Sequence, residues 1–167
     1  ADPFGDYITQ IFWSAFHRFS AEMQLAKYSI DDEFFFEVFD NKFIFVKEKK
    51  ISLANLYVIS AVNNKIHKID QTVPYAYLSG NKKAYTSYEK FHRDHGLPIM
   101  TMDRFDKLIR SICVDGYNRD YPIIINKEHF INDGQHRACV QAFYNGVNSK
   151  ISALQVSIIS KRWLMES

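Results

Sequence analysis

Three consecutive isoleucines, Ile123, Ile124 and Ile125, constrain the fold of this chain more than any other feature. Successive side chains of a β-strand point to opposite faces, so an unbroken β-branched apolar run predicts a strand that is buried on both faces. Such a strand requires a globular domain around it. The chain has 167 residues, of which 47% are apolar, and this is enough to bury one core.

Apolar spacing and turn residues predict the remaining elements. A spacing of three or four residues predicts helices at about residues 6–27, 85–91, 105–116 and 134–144, with Asp6, and Thr101 or Asp103, as N-caps and with Gly116 and Gly146 at C-terminal ends. Aromatic and β-branched runs predict a hairpin over residues 34–46 and strands at 51–56 and 151–159. The apolar pattern weakens over residues 61–80, which predicts a loop or short elements there. Interleaved helices and strands indicate a mixed α/β or α+β domain.

Charge and cysteine content restrict the partners and the compartment. The net charge of +2 is far from the concentrated basic surface that nucleic-acid binding requires, so we expect no nucleic-acid partner. No stretch approaches the roughly 18 apolar residues of a membrane span. Cys113 and Cys139 sit among apolar residues at helical spacing, and we expect buried free thiols in a reducing cytoplasm. The chain opens with Ala-Asp-Pro-Phe and no Met, and we expect the natural protein to be longer there.

The segment that follows the isoleucine strand has the properties of an anion site. Residues 132–137 have the sequence Asn-Asp-Gly-Gln-His-Arg and precede the last predicted helix. Backbone N–H groups in a first helical turn lack partners, the helix dipole adds positive charge, and glycine allows close approach of a ligand. Phosphate is the commonest biological ligand of such a turn.

The side chains of this segment fit the same interpretation. Arg137 can make a two-pronged contact to phosphate oxygens and His136 can donate further hydrogen bonds. Asp133 would instead hold Mg²⁺ or accept a proton from an attacking hydroxyl. The structural alternative is a simple turn in which Asp133 caps the helix and His136 and Arg137 are solvated.

The sequence PIIINKEHFINDGQHRACV, residues 122–140, resembles the core of the ParB/sulfiredoxin-like superfamily. In that superfamily a strand pair leads into a D-G-x-H-R or G-x-x-R element at a helix start. The resemblance extends to 51–56 as the opening strand, 105–116 as the middle helix and 151–159 as the closing strand. It implies an α+β fold in which residues 50–167 form a mixed sheet with flanking helices, and residues 1–49 add an N-terminal helix and hairpin extension.

Members of this superfamily include partition proteins, sulfiredoxins and kinases of free serine, and they share the binding of nucleotide phosphate at this turn. The resemblance implies phosphate contacts by Gly134, His136 and Arg137, and it matches Asp133 to the carboxylate that serves metal or proton transfer in the free-serine-kinase branch. Gln135 replaces the reactive cysteine of sulfiredoxins, which disfavours sulfinic-acid repair. Little chain follows the closing strand, which disfavours the helix-turn-helix module of partition proteins. His67 and Asp70 stand where serine kinases have a catalytic Glu, which puts serine in doubt as the acceptor.

These observations predict a kinase that uses ATP, or ADP or CTP, with Mg²⁺ to phosphorylate a small hydroxyl compound such as a sugar, polyol or amino acid. Gly134, Gln135, His136 and Arg137 would bind phosphate, Asp133 would hold metal or act as base, and Asp70 or His67 would place the acceptor. Residues 72–78, with Tyr85 and Tyr88, resemble a feature of ParB-like domains of surface-glycan synthesis, which makes Tyr75 and Tyr77 candidate substrate contacts. The alternative is that these tyrosines pack in the core or face solvent. The alternatives are a non-catalytic nucleotide sensor and a ParB-like nuclease.

Overall fold

The computed structural model describes residues 34–39, 42–118 and 122–160. These residues form two compact units. One unit contains residues 34–39, 42–48 and 155–160, and the other contains residues 49–118 and 122–154. The predicted helix at residues 6–27 and its cap Asp6 lie outside the described residues.

The first unit contains the predicted hairpin. Strand β1 (Phe34–Phe39) pairs antiparallel with β2 (Lys42–Ser52), and Phe34 lies opposite Val46. The register shifts between Glu37 and Phe39. Aromatic and β-branched residues in both strands favour this pairing, and the predicted pairing of two strands within residues 34–46 is confirmed.

The second unit is built on a sheet in which β7 (Lys150–Ser160) lies between β2 and β5 (Ile123–Ile125), and β6 (Ile131–Asp133) lies on the far side of β5. Strands β5 and β6 are antiparallel. All three isoleucines of β5 are at most 1% exposed, so the prediction of a strand buried on both faces is confirmed.

The predicted strand at residues 51–56 is wrong in its bounds. Strand β2 ends at Ser52, and a 3-10 turn follows at Leu53–Asn55. The amides of Leu53 and Ala54 donate to the carbonyls of Ser149 and Val147, which holds the turn against the start of β7. A small antiparallel sheet follows, formed by β3 (Tyr57–Ile59) and β4 (Ile66–Lys68).

Four helices complete the second unit: α1 (Val73–Leu78), α2 (Lys82–Asp94), α3 (Met102–Asp115) and α4 (Gln135–Asn145). Thr101, rather than Asp103, caps α3, because its side chain accepts from the Arg104 amide at 3.3 Å. Glycines end α3 and α4 at 116 and 146, as the sequence predicts. The α+β class is therefore confirmed, and no helix within the described ranges is long and apolar enough to cross a membrane.

Two apolar clusters lie among the described residues of the second unit. One joins the buried faces of β5, β7 and α4 with Leu53, Leu56 and Cys139, and the other contains Tyr85, Phe105 and Val140. Both cysteines are free thiols, as predicted. Cys139 is buried, but Cys113 is exposed, which corrects the expectation that both are buried. Cys113 lies near the end of α3, beside the largely exposed Val114, where the helix has passed the core.

Candidate functional site

The turn between β6 and α4 depends on glycine. Gly134 has φ 94° and ψ 22°, in the left-handed region that other residues rarely adopt. A Cβ atom at Gly134 would lie 3.1 Å from the Ile123 Cα and 3.1 Å from the Arg137 Nη2. Strand β5 therefore lies close under the turn, and a larger residue at position 134 would be strained by its positive φ and crowded against Ile123.

The first turn of α4 presents unpaired backbone donors. The first hydrogen bond inside the helix runs from the Ala138 amide to the Gly134 carbonyl, at 2.9 Å. The amides of Gln135 and His136 precede it, and no group in the described part of the chain accepts a hydrogen bond from either. This is the arrangement that binds an anion at a helix N-terminus.

Arg137 and Asp133 form an ion pair across the turn, with 3.2 Å between Arg137 Nη2 and Asp133 Oδ2. The Arg137 side chain is 18% exposed and that of Asp133 is 43% exposed. Asp133 does not cap the helix, because Gly134 occupies the N-cap position and no side-chain cap bond is formed. The alternative of a solvated turn capped by Asp133 does not describe this structure.

His136 is held inside the protein instead of facing solvent. Its Nε2 lies 2.9 Å from the Tyr85 hydroxyl, which itself donates to the Met100 carbonyl at 2.6 Å. The hydroxyl hydrogen is thereby used, so His136 Nε2 is the donor to Tyr85. The imidazole also packs edge-on against Phe105, with 4.8 Å between ring centroids.

Burial of the His136 imidazole lowers its pKa to about 4, and the nearby His92 and Arg104 act in the same direction. The ring is therefore neutral at pH 7 and carries one N–H, which donates a hydrogen bond to the Tyr85 hydroxyl oxygen. The sequence predicts that His136 donates to phosphate, but its only donor at neutral pH is directed into the protein. The observed role of His136 is to fix the first turn of α4 against α2.

A cavity of about 520 Å³ adjoins this turn, and Gln135 of α4 forms part of its wall. The cavity lies between the β3–β4 sheet, the start of α1 and the side of α2. Helix α2 contributes the rings of Tyr88, Phe91 and His92. His67, a predicted catalytic residue, also lines it. Gln135 and His67, which are distant in sequence, are thus brought to one cavity.

Three other predicted residues do not line the cavity. Asp70 is exposed in the 3-10 turn Ile69–Gln71. Tyr75 packs edge-on against Phe143, with 5.7 Å between ring centroids. The Tyr77 hydroxyl donates to Asp106 Oδ1 at 2.7 Å, and this hydrogen bond raises the pKa of Tyr77 to about 12. The two tyrosines have packing and bonding partners of their own, as the structural alternative expects.

Sequence reasoning did not identify Ser87 or His92 as parts of this region, and it did not connect Tyr85 with His136. Tyr85 is fully buried and positions His136 from a distance of 51 residues along the chain. Ser87 and His92 line the cavity from the same helix. The spacing of four residues between Tyr88 and His92 places both on one face of α2, and this could be predicted from the sequence. Nothing in the sequence indicates what that face contacts.

The described residues provide only part of a binding site for a divalent cation. They contain no group of three His, Cys, Asp or Glu side chains that could hold a metal ion. Asp133 is partly exposed and can supply a carboxylate oxygen, whereas Mg²⁺ usually takes one or two carboxylates together with substrate phosphates and water. The residues present therefore fit Mg²⁺ only when a phosphate supplies further oxygens.

Comparisons of the chain with protein-family models, with curated proteins and with solved structures found no match.

Proposed function

We propose that this protein binds a nucleotide, with its phosphates at the first turn of α4, and transfers a phosphoryl group to a small hydroxyl compound. The observation that carries the proposal is the pair of unpaired amides at Gln135 and His136, with the Arg137 guanidinium across the glycine turn and a cavity beside Gln135. Amide donors, helix dipole and guanidinium together favour a polyanion. The resemblance to the ParB/sulfiredoxin-like superfamily supports the same assignment and suggests that the second unit has the fold of that superfamily.

The ion pair between Arg137 and Asp133 can yield to such a ligand. A partly exposed i, i+4 pair contributes about 0.3–0.5 kcal/mol, and a phosphate at the turn would contact the guanidinium and the Gln135 and His136 amides together. Arg137 would therefore exchange the carboxylate for phosphate oxygens. Asp133 would then be available to hold Mg²⁺ beside the phosphates or to accept the proton of the acceptor hydroxyl.

Other residues would position these groups. Gly134 keeps the turn open, His136 anchors it through Tyr85, and His67 lies in the cavity wall where an acceptor can contact it. ATP is the nucleotide we propose, with ADP or CTP as the other candidates. Cytoplasmic location follows as part of the proposal, because nucleotides are available there and free thiols stay reduced.

A second candidate is a non-catalytic nucleotide sensor. One observation favours it: neither Asp nor Glu is found among the described residues that line the cavity. Phosphoryl transfer gains from a carboxylate near the attacking hydroxyl. If the acceptor occupies the cavity, Asp133 would have to reach it from the turn.

Calorimetric titration of nucleotides with Mg²⁺ tests the phosphate assignment. Arg137→Ala should weaken binding about 10- to 100-fold, the equivalent of one charged hydrogen-bonding contact. Arg110→Ala, an exposed arginine of α3 distant from the turn in sequence, is the matched control and should bind as the wild type does. Equal affinity in wild type and Arg137→Ala would refute the assigned phosphate role.

Turnover separates the kinase from the sensor. Wild type and Asp133→Asn are incubated with labelled ATP, Mg²⁺ and pooled sugars, polyols and amino acids, and labelled products are separated from free phosphate. Transfer that is lost in Asp133→Asn supports the kinase. Nucleotide binding without any product supports the sensor, and nicking of plasmid DNA would support the nuclease alternative.

A further inference from the structure

The walls of the cavity beside Gln135 lack formal charge. Asp, Glu, Lys and Arg are all absent from the described residues that line it. Val58 and Ile59 of the β3–β4 sheet line the cavity together with Tyr88, Phe91 and His92 of α2. A charged group that gives up water on binding there gains no ion pair from the lining residues in return.

The polar groups of the cavity are instead suited to a neutral partner. Asn63 Oδ1 accepts from the Lys65 amide at 3.0 Å and Gln71 Oε1 accepts from the Lys68 amide at 2.9 Å, so each side chain retains an NH₂ donor. His92 Nδ1 donates to the Pro98 carbonyl at 2.9 Å, so Nε2 is the ring nitrogen that is left for a ligand. The wall therefore combines amide donors, an imidazole nitrogen and aromatic faces.

We propose that this cavity binds an uncharged, ring-bearing group, and that zwitterionic acceptors such as free amino acids are excluded from it. The volume of about 520 Å³ lies within the range of about 300–1,000 Å³ typical of small-molecule pockets. Aromatic walls stack on planar or ring-shaped groups, while neutral donors and acceptors bind their edges. The inference rests on the proposed function for the position of the phosphates, because Gln135 belongs to both the turn and the cavity wall.

Two sources could supply such a ring. It can be the nucleoside part of the nucleotide, whose phosphates would lie at the turn, or it can be a separate neutral acceptor, such as a sugar or cyclic polyol. The nucleoside and the acceptor would make the same kinds of contact with the cavity wall. A substitution that fills the cavity distinguishes them, because it weakens binding of only the one that occupies the cavity.

Ser87→Trp is that substitution. Ser87 is an exposed position of α2 that lines the cavity, so an indole there occupies the ligand volume without disturbing the core. Thr86→Trp is the matched control, because Thr86 is the exposed neighbour on the same helix and does not line the cavity. Thermal unfolding and circular dichroism establish that both variants fold.

Saturation-transfer NMR and calorimetry then measure binding of ATP, inorganic tripolyphosphate, adenosine, cytidine, glucose, inositol and serine. If the ring belongs to the nucleotide, Ser87→Trp weakens nucleoside and ATP binding at least tenfold and leaves tripolyphosphate unchanged. If it belongs to the acceptor, Ser87→Trp weakens glucose or inositol binding at least tenfold and leaves ATP unchanged. Either result supports the inference.

Two results would overturn it: serine binding that Ser87→Trp abolishes, or no binding of any neutral ring compound that Ser87→Trp reduces relative to Thr86→Trp. Failure of the proposed function has a different signature. In that case neither tripolyphosphate nor ATP is weakened by Arg137→Ala, while neutral ring compounds still bind in a manner sensitive to Ser87→Trp.

Discussion

Protonation of His136 should make the stability of the fold depend on pH between about 4 and 6.5. The imidazole is neutral in the folded protein, where burial lowers its pKa to about 4, and it returns to the ordinary value of 6.5 when the chain unfolds. Below pH 6.5 the unfolded chain therefore binds a proton that the folded chain does not. Stability contributed by neutral His136 is present above pH 6.5 and is lost as the pH falls toward 4.

The magnitude follows from the two pKa values. For a single group with these values, the linkage relation gives a loss of about 2 kcal/mol in the free energy of unfolding between pH 7 and pH 5. The full loss is about 3 kcal/mol once the pH is below both values. For a domain of this size, either value is a large share of the total stability.

Urea denaturation of wild type and His136→Gln at pH 7 and pH 5 measures this loss. The quantity to compare is the difference in unfolding free energy between the two pH values, because it removes the cost of the substitution itself and the titration of the other histidines. Wild type should lose about 2 kcal/mol more than His136→Gln. An equal loss in the two proteins would show that His136 is not buried as a neutral ring against Tyr85.

Three further results follow from the same region. Gly134→Ala should destabilise the fold by at least about 1–2 kcal/mol and weaken phosphate binding, because alanine disfavours φ 94° and its Cβ crowds the Ile123 backbone; an unchanged urea midpoint would contradict this. Tyr85→Phe should cost about 1–3 kcal/mol, since the partly buried Met100 carbonyl and His136 Nε2 each lose a hydrogen bond, and a neutral effect would show that the hydroxyl is not needed. A thiol reagent should label Cys113 rapidly and Cys139 only on unfolding, because burial raises the pKa of Cys139 to about 12; labelling of both at one rate in the native protein would contradict the fold.

The sequence by itself determined the elements that depend on local pattern. The isoleucines of β5 could be assigned because a strand with one solvated face alternates apolar and polar residues. Three consecutive β-branched apolar residues therefore indicate a strand buried on both faces. The helices α2, α3 and α4 could be assigned from 3.6-residue spacing, and their ends from Thr101, Gly116 and Gly146. The glycine turn was visible because a D-G dipeptide directly precedes an apolar helical pattern.

Only the tertiary structure decided how polar side chains are used. Residues 61–80 have no sustained period, so the sequence could not show that His67 faces the cavity while Asp70, Tyr75 and Tyr77 do not line it. The donor of His136 is fixed by Tyr85, which is 51 residues away along the chain. Local pattern fixes the direction of side chains relative to their own helix or strand, but the partner that each side chain meets depends on contacts between distant segments, which no periodicity encodes.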